Sequence, residues 1–202
     1  MSIKTAKAPP DGGRLELGRT IPSLLDEAVR SRPNPRAFNQ RDGRGGWRTW
    51  STADLAREAE ALALGLRHAG LERGDRVALF THSDMSFVVA DMAALIAGLV
   101  VVPVYLTHTE RAIRHILAES GSRAVLVSDR PLLERMAGLA ADLEGVRLLG
   151  VSDDGALAGF EAGPAWAGRR VASYAALEAE GAELRAREPD RVDRYKRELE
   201  AT

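Results

Sequence analysis

This chain of 202 residues predicts an α/β fold, a mostly parallel sheet with crossover helices, preceded by a helix and a β-hairpin. Three observations point that way. Between residues 76 and 151, short apolar runs alternate with segments of helical period, as strands joined by crossover helices do. Ser, Thr and Pro residues stand before the helical segments and Gly residues after several of them, where such residues cap, open and close helices. Hydrophobic residues make up 45% of the chain and charged residues 28%, enough for one buried core and too polar for a membrane bundle.

From the N-terminus, Met1 to Gly13 is polar, carries Pro and Gly and lacks the apolar centre of a signal peptide, so residues 1–19 read as a flexible lead-in. Thr20 is placed to cap a helix over Ile21 to Arg30. Pro22 is tolerated in its first turn, Leu24, Leu25, Ala28 and Val29 form its apolar stripe, and Pro33 and Pro35 end it. Ala37 to Gln40 and Trp47 to Trp50 flank Asp42, Gly43, Gly45 and Gly46, which is hairpin turn chemistry. Ser51 with Asp54 resembles a capping box, and Leu55, Ala59, Leu62 and Leu66 then recur at helical spacing until Gly70.

Strands are expected at Arg76–Thr81, Leu99–Val104, Ala124–Val127 and Val146–Val151. Between them come a helix over Asp84–Ala97 capped by Ser83, one from Thr109 to Gly121 with Ile113, Ile116 and Leu117 inward, and one over Leu132–Leu143 opened by Pro131. Val100, Val101 and Val102 suit a strand covered on both faces, with Gly98 stopping the helix before it. Right-handed crossovers would put the loops after Thr81, Val104 and Val127 on one edge.

Composition shifts after Ser152. Residues 153–170 hold four glycines and Pro164 with little periodicity and read as a long surface connection in which Trp166 is partly exposed. Ser173 can cap a helix to about Arg187, interrupted by Gly181 and closed by Pro189. Arg191 to Glu200 has only Val192, Tyr195 and Leu199 as an apolar stripe, the pattern of a helix that frays or depends on a partner. The expected organisation is thus a lead-in at 1–19, a main subdomain at 20–152, and a Gly-rich connection with a polar helical tail at 153–202.

Lys and Arg number 28 against 29 Asp and Glu, so no basic excess favours nucleic acid or anionic lipid. Cysteine is absent, which removes thiolate nucleophiles, disulfides and Cys-based zinc sites and fits the cytoplasm. The apolar run Phe87 to Tyr105 is interrupted by Asp91, Gly98 and Pro103, and reads as a buried helix and strand rather than a transmembrane segment.

Loops after parallel strands are where open α/β sheets meet ligands, which singles out His82, Ser83 and Asp84, then Tyr105, Thr107 and His108. For the first group the simpler reading is a helix cap. For the second, capping and pocket lining stand level, because Tyr105 offers an apolar body with a polar tip. His82, His108 and Asp84 do not make a metal site, since no second His or Cys stands at ligand spacing. Trp47 and Trp50 read as packing anchors. No carboxylate pair or Ser/His/Asp set stands out, so no catalytic residue is assigned.

The run Trp47-Arg48-Thr49-Trp50-Ser51, then Gly70-Leu71-Glu72-Arg73-Gly74-Asp75-Arg76-Val77-Ala78-Leu79, then Ala97-Gly98-Leu99-Val100-Val101-Val102-Pro103-Val104-Tyr105, resembles the N-terminal region of AMP-forming acyl-CoA synthetases. The resemblance covers roughly Thr20 to Asp129, and Val102 to Tyr105 with Thr107 and Thr109 looks most like the long-chain fatty-acid–CoA ligase branch. It implies a partial N-terminal domain of an acyl-CoA synthetase-like fold and an acid–thiol ligase of fatty acid and lipid metabolism. Such an enzyme uses ATP and Mg to form an acyl adenylate, and passes the acyl group to CoA. His82, Ser83, Tyr105, Thr107 and His108 would then be substrate-binding, lining the acyl or pantetheine path.

The family's Ser/Thr/Gly-rich phosphate loop, its adenine and ribose contacts and its catalytic lysine lie downstream of the matched region, and nothing after Ser128 reproduces them. The expectation is an N-terminal fragment, inactive and cofactor-free alone, from a truncated frame or a split enzyme. Its partner would be a C-terminal remainder or a second copy. The rival expectation is a noncatalytic interaction module.

Overall fold

The computed structural model of the chain describes residues 19–41 and 45–200. Most of the expected lead-in, and Asp42 and Gly43 of the hairpin turn, lie outside them. Helix α1 (Ile21–Ser31) opens on a reciprocal cap in which the Thr20 hydroxyl accepts from the Ser23 amide and the Ser23 hydroxyl accepts from the Thr20 amide. Strands β1 (Phe38–Arg41) and β2 (Trp47–Trp50) pair antiparallel, with Phe38 opposite Trp50. Helix α2 (Thr52–His68) starts on the capping box of Ser51 and Asp54. Hydrogen bonds from the Ser51 hydroxyl, the Ser51 amide and Arg57 hold the Asp54 carboxyl far below the usual carboxylate range.

The sheet comprises β3 (Arg76–Phe80), β4 (Val100–Pro103), β5 (Ala124–Val127), β6 (Leu148–Val151) and β7 (Arg170–Ser173), all parallel, in the order β4-β3-β5-β6-β7. Its crossovers carry α3 (Met85–Ile96), α4 (Glu110–Ser120) and α5 (Arg130–Gly138), and α6 (Tyr174–Arg187) and α7 (Arg191–Glu200) complete the chain. Alternate strand residues point to opposite faces, so the sheet is buried twice. Val77, Leu79, Ala124, Leu126 and Leu148 join the core beneath α2, α3 and α6. Ala78, Phe80, Val125, Val127, Leu149 and Val151 join a second core with α4 and α5.

Several elements depart from the sequence expectation, each for a local reason. Asp84, not Ser83, caps α3, because the Asp84 carboxylate reaches both the Ser86 amide and its hydroxyl. The valine run of β4 is not covered on both faces. That strand ends the sheet order and leaves Val100 49% exposed. Residues 153–170 are no loose surface connection, since Ala156 and Trp166 pack into the second core and the Trp166 indole donates to the Ala137 carbonyl at 3.1 Å. Trp166 is therefore buried rather than partly exposed. The chain then supplies β7, a strand the sequence reading passed over, in parallel register with β6.

Gly181 does not interrupt α6. It sits where α6 crosses α2 so closely that a Cβ there would lie 2.0 Å from the Ala61 carbonyl oxygen, and one on Gly65 would lie 2.1 Å from that of Leu177. The tail helix α7, expected to need a partner, finds one within the chain. Val192 and Tyr195 enter the first core, while the buried Lys196 ammonium donates to Asp26 of α1 and Glu60 of α2, each at 2.7 Å. Burial alone would depress Lys196, but the two carboxylates overcome it and raise its pKa above the ordinary 10.5. That contribution is in force below pH 10.5 and is lost as pH climbs through the folded value.

Two stability changes follow from these contacts. Gly181→Ala, which at an open helical site would gain about 1 kcal/mol, is expected instead to lose about 1–3 kcal/mol, because the α2–α6 backbones must separate; the urea midpoint reads it. Lys196→Ala should lose about 2–3 kcal/mol at neutral pH by stranding the partly buried Asp26 carboxylate and leaving Glu60 to Arg185 alone, with the deficit shrinking in alkaline denaturation series.

Candidate functional site

At the carboxyl edge of the sheet, the chain leaves β3, β6 and β7 through loops that meet the hairpin and α2 around a 530 Å³ cleft. Gln40, Arg41, Arg48 and Trp50 of the hairpin form one wall, with Glu58 of α2 behind them. Asp84, Met85, Ser86 and Val89 come from the start of α3, Ser152 and Asp154 follow β6, and Tyr174, Ala175 and Glu178 belong to the start of α6.

The walls are held by specific bonds. The Met85 amide donates to the Gln40 side chain at 2.8 Å, tying the hairpin to α3. The Trp50 indole donates to Glu58 at 3.1 Å, and the Arg48 guanidinium lies 4.3 Å above the Trp50 ring and 3.5 Å from Glu58. Below the cleft, the Ser128 hydroxyl accepts from the His82 amide at 2.8 Å and lies 3.1 Å from the Ser86 hydroxyl, while Ser152 donates to the Ser128 carbonyl. Gly150 leaves the space that Leu126 and Tyr174 occupy, since a Cβ there would lie 2.5 Å from Leu126 Cδ2 and 3.6 Å from Tyr174 Cε1.

Two titratable groups of α6 are strongly perturbed. Burial, then the charges of Asp84 and Glu178, pushes the Tyr174 phenol well above its ordinary value. Its hydroxyl is buried without a hydrogen-bond partner among the described residues. Burial, then Glu58 and Asp154, pushes the Glu178 carboxyl up to about 7 against the opposing pull of Arg48 and Arg57.

Of the residues singled out by sequence, Asp84 lines the cleft, and the others lie elsewhere on the same edge. His82 is half-exposed with its Nε2 2.8 Å from Asp129 Oδ2, and Ser83 is exposed. Both border the cleft in sequence without lining it. Tyr105 stands 70% exposed with the His108 ring edge-on at 5.4 Å, and Thr107 is exposed. Arg135 clamps this loop through the Leu106 and His108 carbonyls, and the His108 Nδ1 is buried without a partner. The cleft residues Arg48, Ser86, Ser152, Tyr174 and Glu178 were not foreseen. The usable signal was Ser173-Tyr174, a cap and an aromatic at the end of a strand, which becomes visible only once Arg170–Ser173 is read as one.

Among the described residues, no three His, Cys, Asp or Glu side chains converge to hold a metal ion, and no helix is long and apolar enough to cross a membrane.

Residues 25–191 match the family described as AMP-binding enzyme. A long-chain-fatty-acid–CoA ligase of Mycobacterium bovis is 33% identical over 94 residues, 42% of this chain and 16% of the ligase. A methyl-dioxo-octahydroindenyl-propanoyl:CoA ligase of Mycobacterium tuberculosis is 32% identical over 164 residues, 78% of this chain and 31% of that protein. The crystal structure of the adenylation domain of a carboxylate reductase from Mycobacterium chelonae superposes with a TM-score of 0.63 at 25% identity, over 80% of this chain and 28% of that one. The chain thus spans less than a third of the length of each.

Glu178 gives the site a pH signature. A carboxyl raised from 4.5 to about 7 disfavours the fold once ionised, so the cost enters as pH rises past 4.5 and is complete above about 7. With allowance for its partial exposure, Glu178→Gln should be more stable than the parent by about 1–2 kcal/mol near pH 8 and equal to it near pH 4. Urea midpoints at the two pH values check this; an equal gap at both would remove ionisation as the cause.

Proposed function

Because this chain belongs to the AMP-binding enzyme family, we propose that it forms the N-terminal part of a long-chain fatty-acyl-CoA synthetase acting in the cytoplasm. The complete enzyme would join a fatty acid to AMP from ATP and transfer the acyl group to CoA. The observation that carries this reading is the family match over residues 25–191, and the likeness to long-chain-fatty-acid–CoA ligases supports the choice of carboxylate. The loop of Tyr105, Thr107 and His108 and the loop of His82 and Ser83 share the carboxyl edge, where an acyl chain or pantetheine arm would pass.

These residues do not fit the nucleotide or its metal. Adenylation needs donors and a cation to offset charge developing on the phosphates. The described residues bring no metal-binding cluster together, and residues 129–202 contain no Ser/Thr/Gly-rich loop ending in Pro-Lys-Gly. We therefore assign nucleotide handling to a partner segment, the remainder of such a synthetase. The exposed apolar side chains of Ile21, Leu24 and Val100 support docking of that kind.

Carboxylate-dependent exchange of pyrophosphate into ATP tests the proposal. The purified 202-residue chain with palmitate should show no exchange above the protein-free rate and no stoichiometric capture of palmitoyl adenylate. Exchange or capture by the chain alone would overturn it.

A further inference from the structure

The cleft between the hairpin and α6 holds an unbalanced set of charges. Glu58, Asp84, Asp154 and Glu178 face it, against Arg41 and Arg48. The two cations are already engaged, Arg48 over the Trp50 ring and beside Glu58, and Arg41 over the Trp47 ring at 5.7 Å. Arg57, just outside, pairs with Asp54 at 2.7 Å and with Glu58 at 3.7 Å. Glu178 and Asp154 have no ion pair among the described residues, and Asp84 uses its Oδ1 on Ser86. Beside Asp84 and Glu178 lies the Tyr174 hydroxyl, on a ring only 5% exposed, buried and without a partner. A buried hydroxyl left unpaired in a cleft wall can accept a hydrogen bond from a ligand or donate one to it.

We propose that this cleft binds a guanidinium or primary ammonium group on an alkyl stem, held by the Glu178 and Asp84 carboxylates and the Tyr174 hydroxyl. Each part of the site answers a need of that ligand. The carboxylates accept its N–H groups and balance its charge, and the phenolic oxygen accepts one more bond. Met85, Val89 and Trp50 supply apolar wall for the methylene stem. An anion would meet four carboxylates with both arginines already engaged. A bare metal ion lacks ligands, because no cluster of three His, Cys, Asp or Glu is present among the described residues.

Burial and the neighbouring Glu58 and Asp154 hold Glu178 up to about 7, with Arg48 and Arg57 opposing, so a cation bound beside it would displace a proton near neutral pH. Affinity should therefore rise with pH through that range. The site stands independently of the adenylation reading.

The full chain, titrated by NMR with n-butylguanidinium, n-butylammonium and the neutral isostere n-butylurea, decides the matter. Saturable shifts at Tyr174 and Glu178 are expected with either cation and not with the urea. Glu178→Gln should weaken binding about tenfold and Tyr174→Phe about threefold. Affinity in the parent should rise from about pH 6 to about pH 8 and stay flat in Glu178→Gln. Equal responses to the urea and the cations, or unchanged affinity in a folded Glu178→Gln, would overturn the proposal. A capped Ala-Arg-Ala peptide separates the sources: tighter binding than butylguanidinium assigns the group to a protein side chain, and equal or weaker binding assigns it to a small molecule.

Discussion

The contact on which the rest of the structure depends is the close crossing of α2 and α6. Gly65 and Gly181 each face a backbone carbonyl of the other helix at a distance no Cβ could share. Ala61 and Gly65 stand four residues apart on one face of α2, so small residues there let two backbones touch where ordinary side chains would hold them apart. The crossing draws the start of α6 toward α2 and so sets Tyr174 and Glu178 across from Glu58. A helix seated further out would leave these side chains in solvent, with their ordinary titration behaviour.

What the sequence reveals of this arrangement is the part written in caps and periods. Thr20, Ser51 and Thr109 cap the helices they were expected to cap, and Gly121 ends its helix in a left-handed turn. Asp84 takes the cap from Ser83 because both are capping residues at adjacent positions, and only the geometry of Ser86 decides between them. Strand β7 was missed because Arg170-Val171-Ala172-Ser173 is short, begins with a charge and follows a glycine-rich stretch. Its pairing with β6 is a tertiary fact that no local pattern carries. Gly181 misled for a related reason: a glycine inside a helical pattern reads as an interruption until the opposing backbone is known.

The cleft was less legible than the fold. Glu178 lies on a charged helix where a glutamate reads as solvated surface, and its perturbation comes from Glu58 and Asp154, distant in sequence. The exposed loops after β3 and β4 attracted attention because position in a parallel sheet is readable from sequence, whereas convergence is not. His82 does acquire a partner in Asp129, and Tyr105 one in His108, so these side chains are organised even though they stand outside the cleft that Asp84 lines.

The two cores differ in how they are closed, and this bears on how a partner would meet the chain. On the α2 side, α7 seals the core from the far end of the sequence through Val192, Tyr195 and the Lys196 clamp. At the β4 end the sheet is open, yet the strand offers little to extend. It is four residues long, and its last position is Pro103, which has no amide to give. Continuing the ladder past β4 would gain few hydrogen bonds, while Val100, Ile21 and Leu24 present apolar side chains to solvent. A partner segment would therefore dock chiefly through side-chain packing, which requires a complementary folded surface and selects against indiscriminate strand addition.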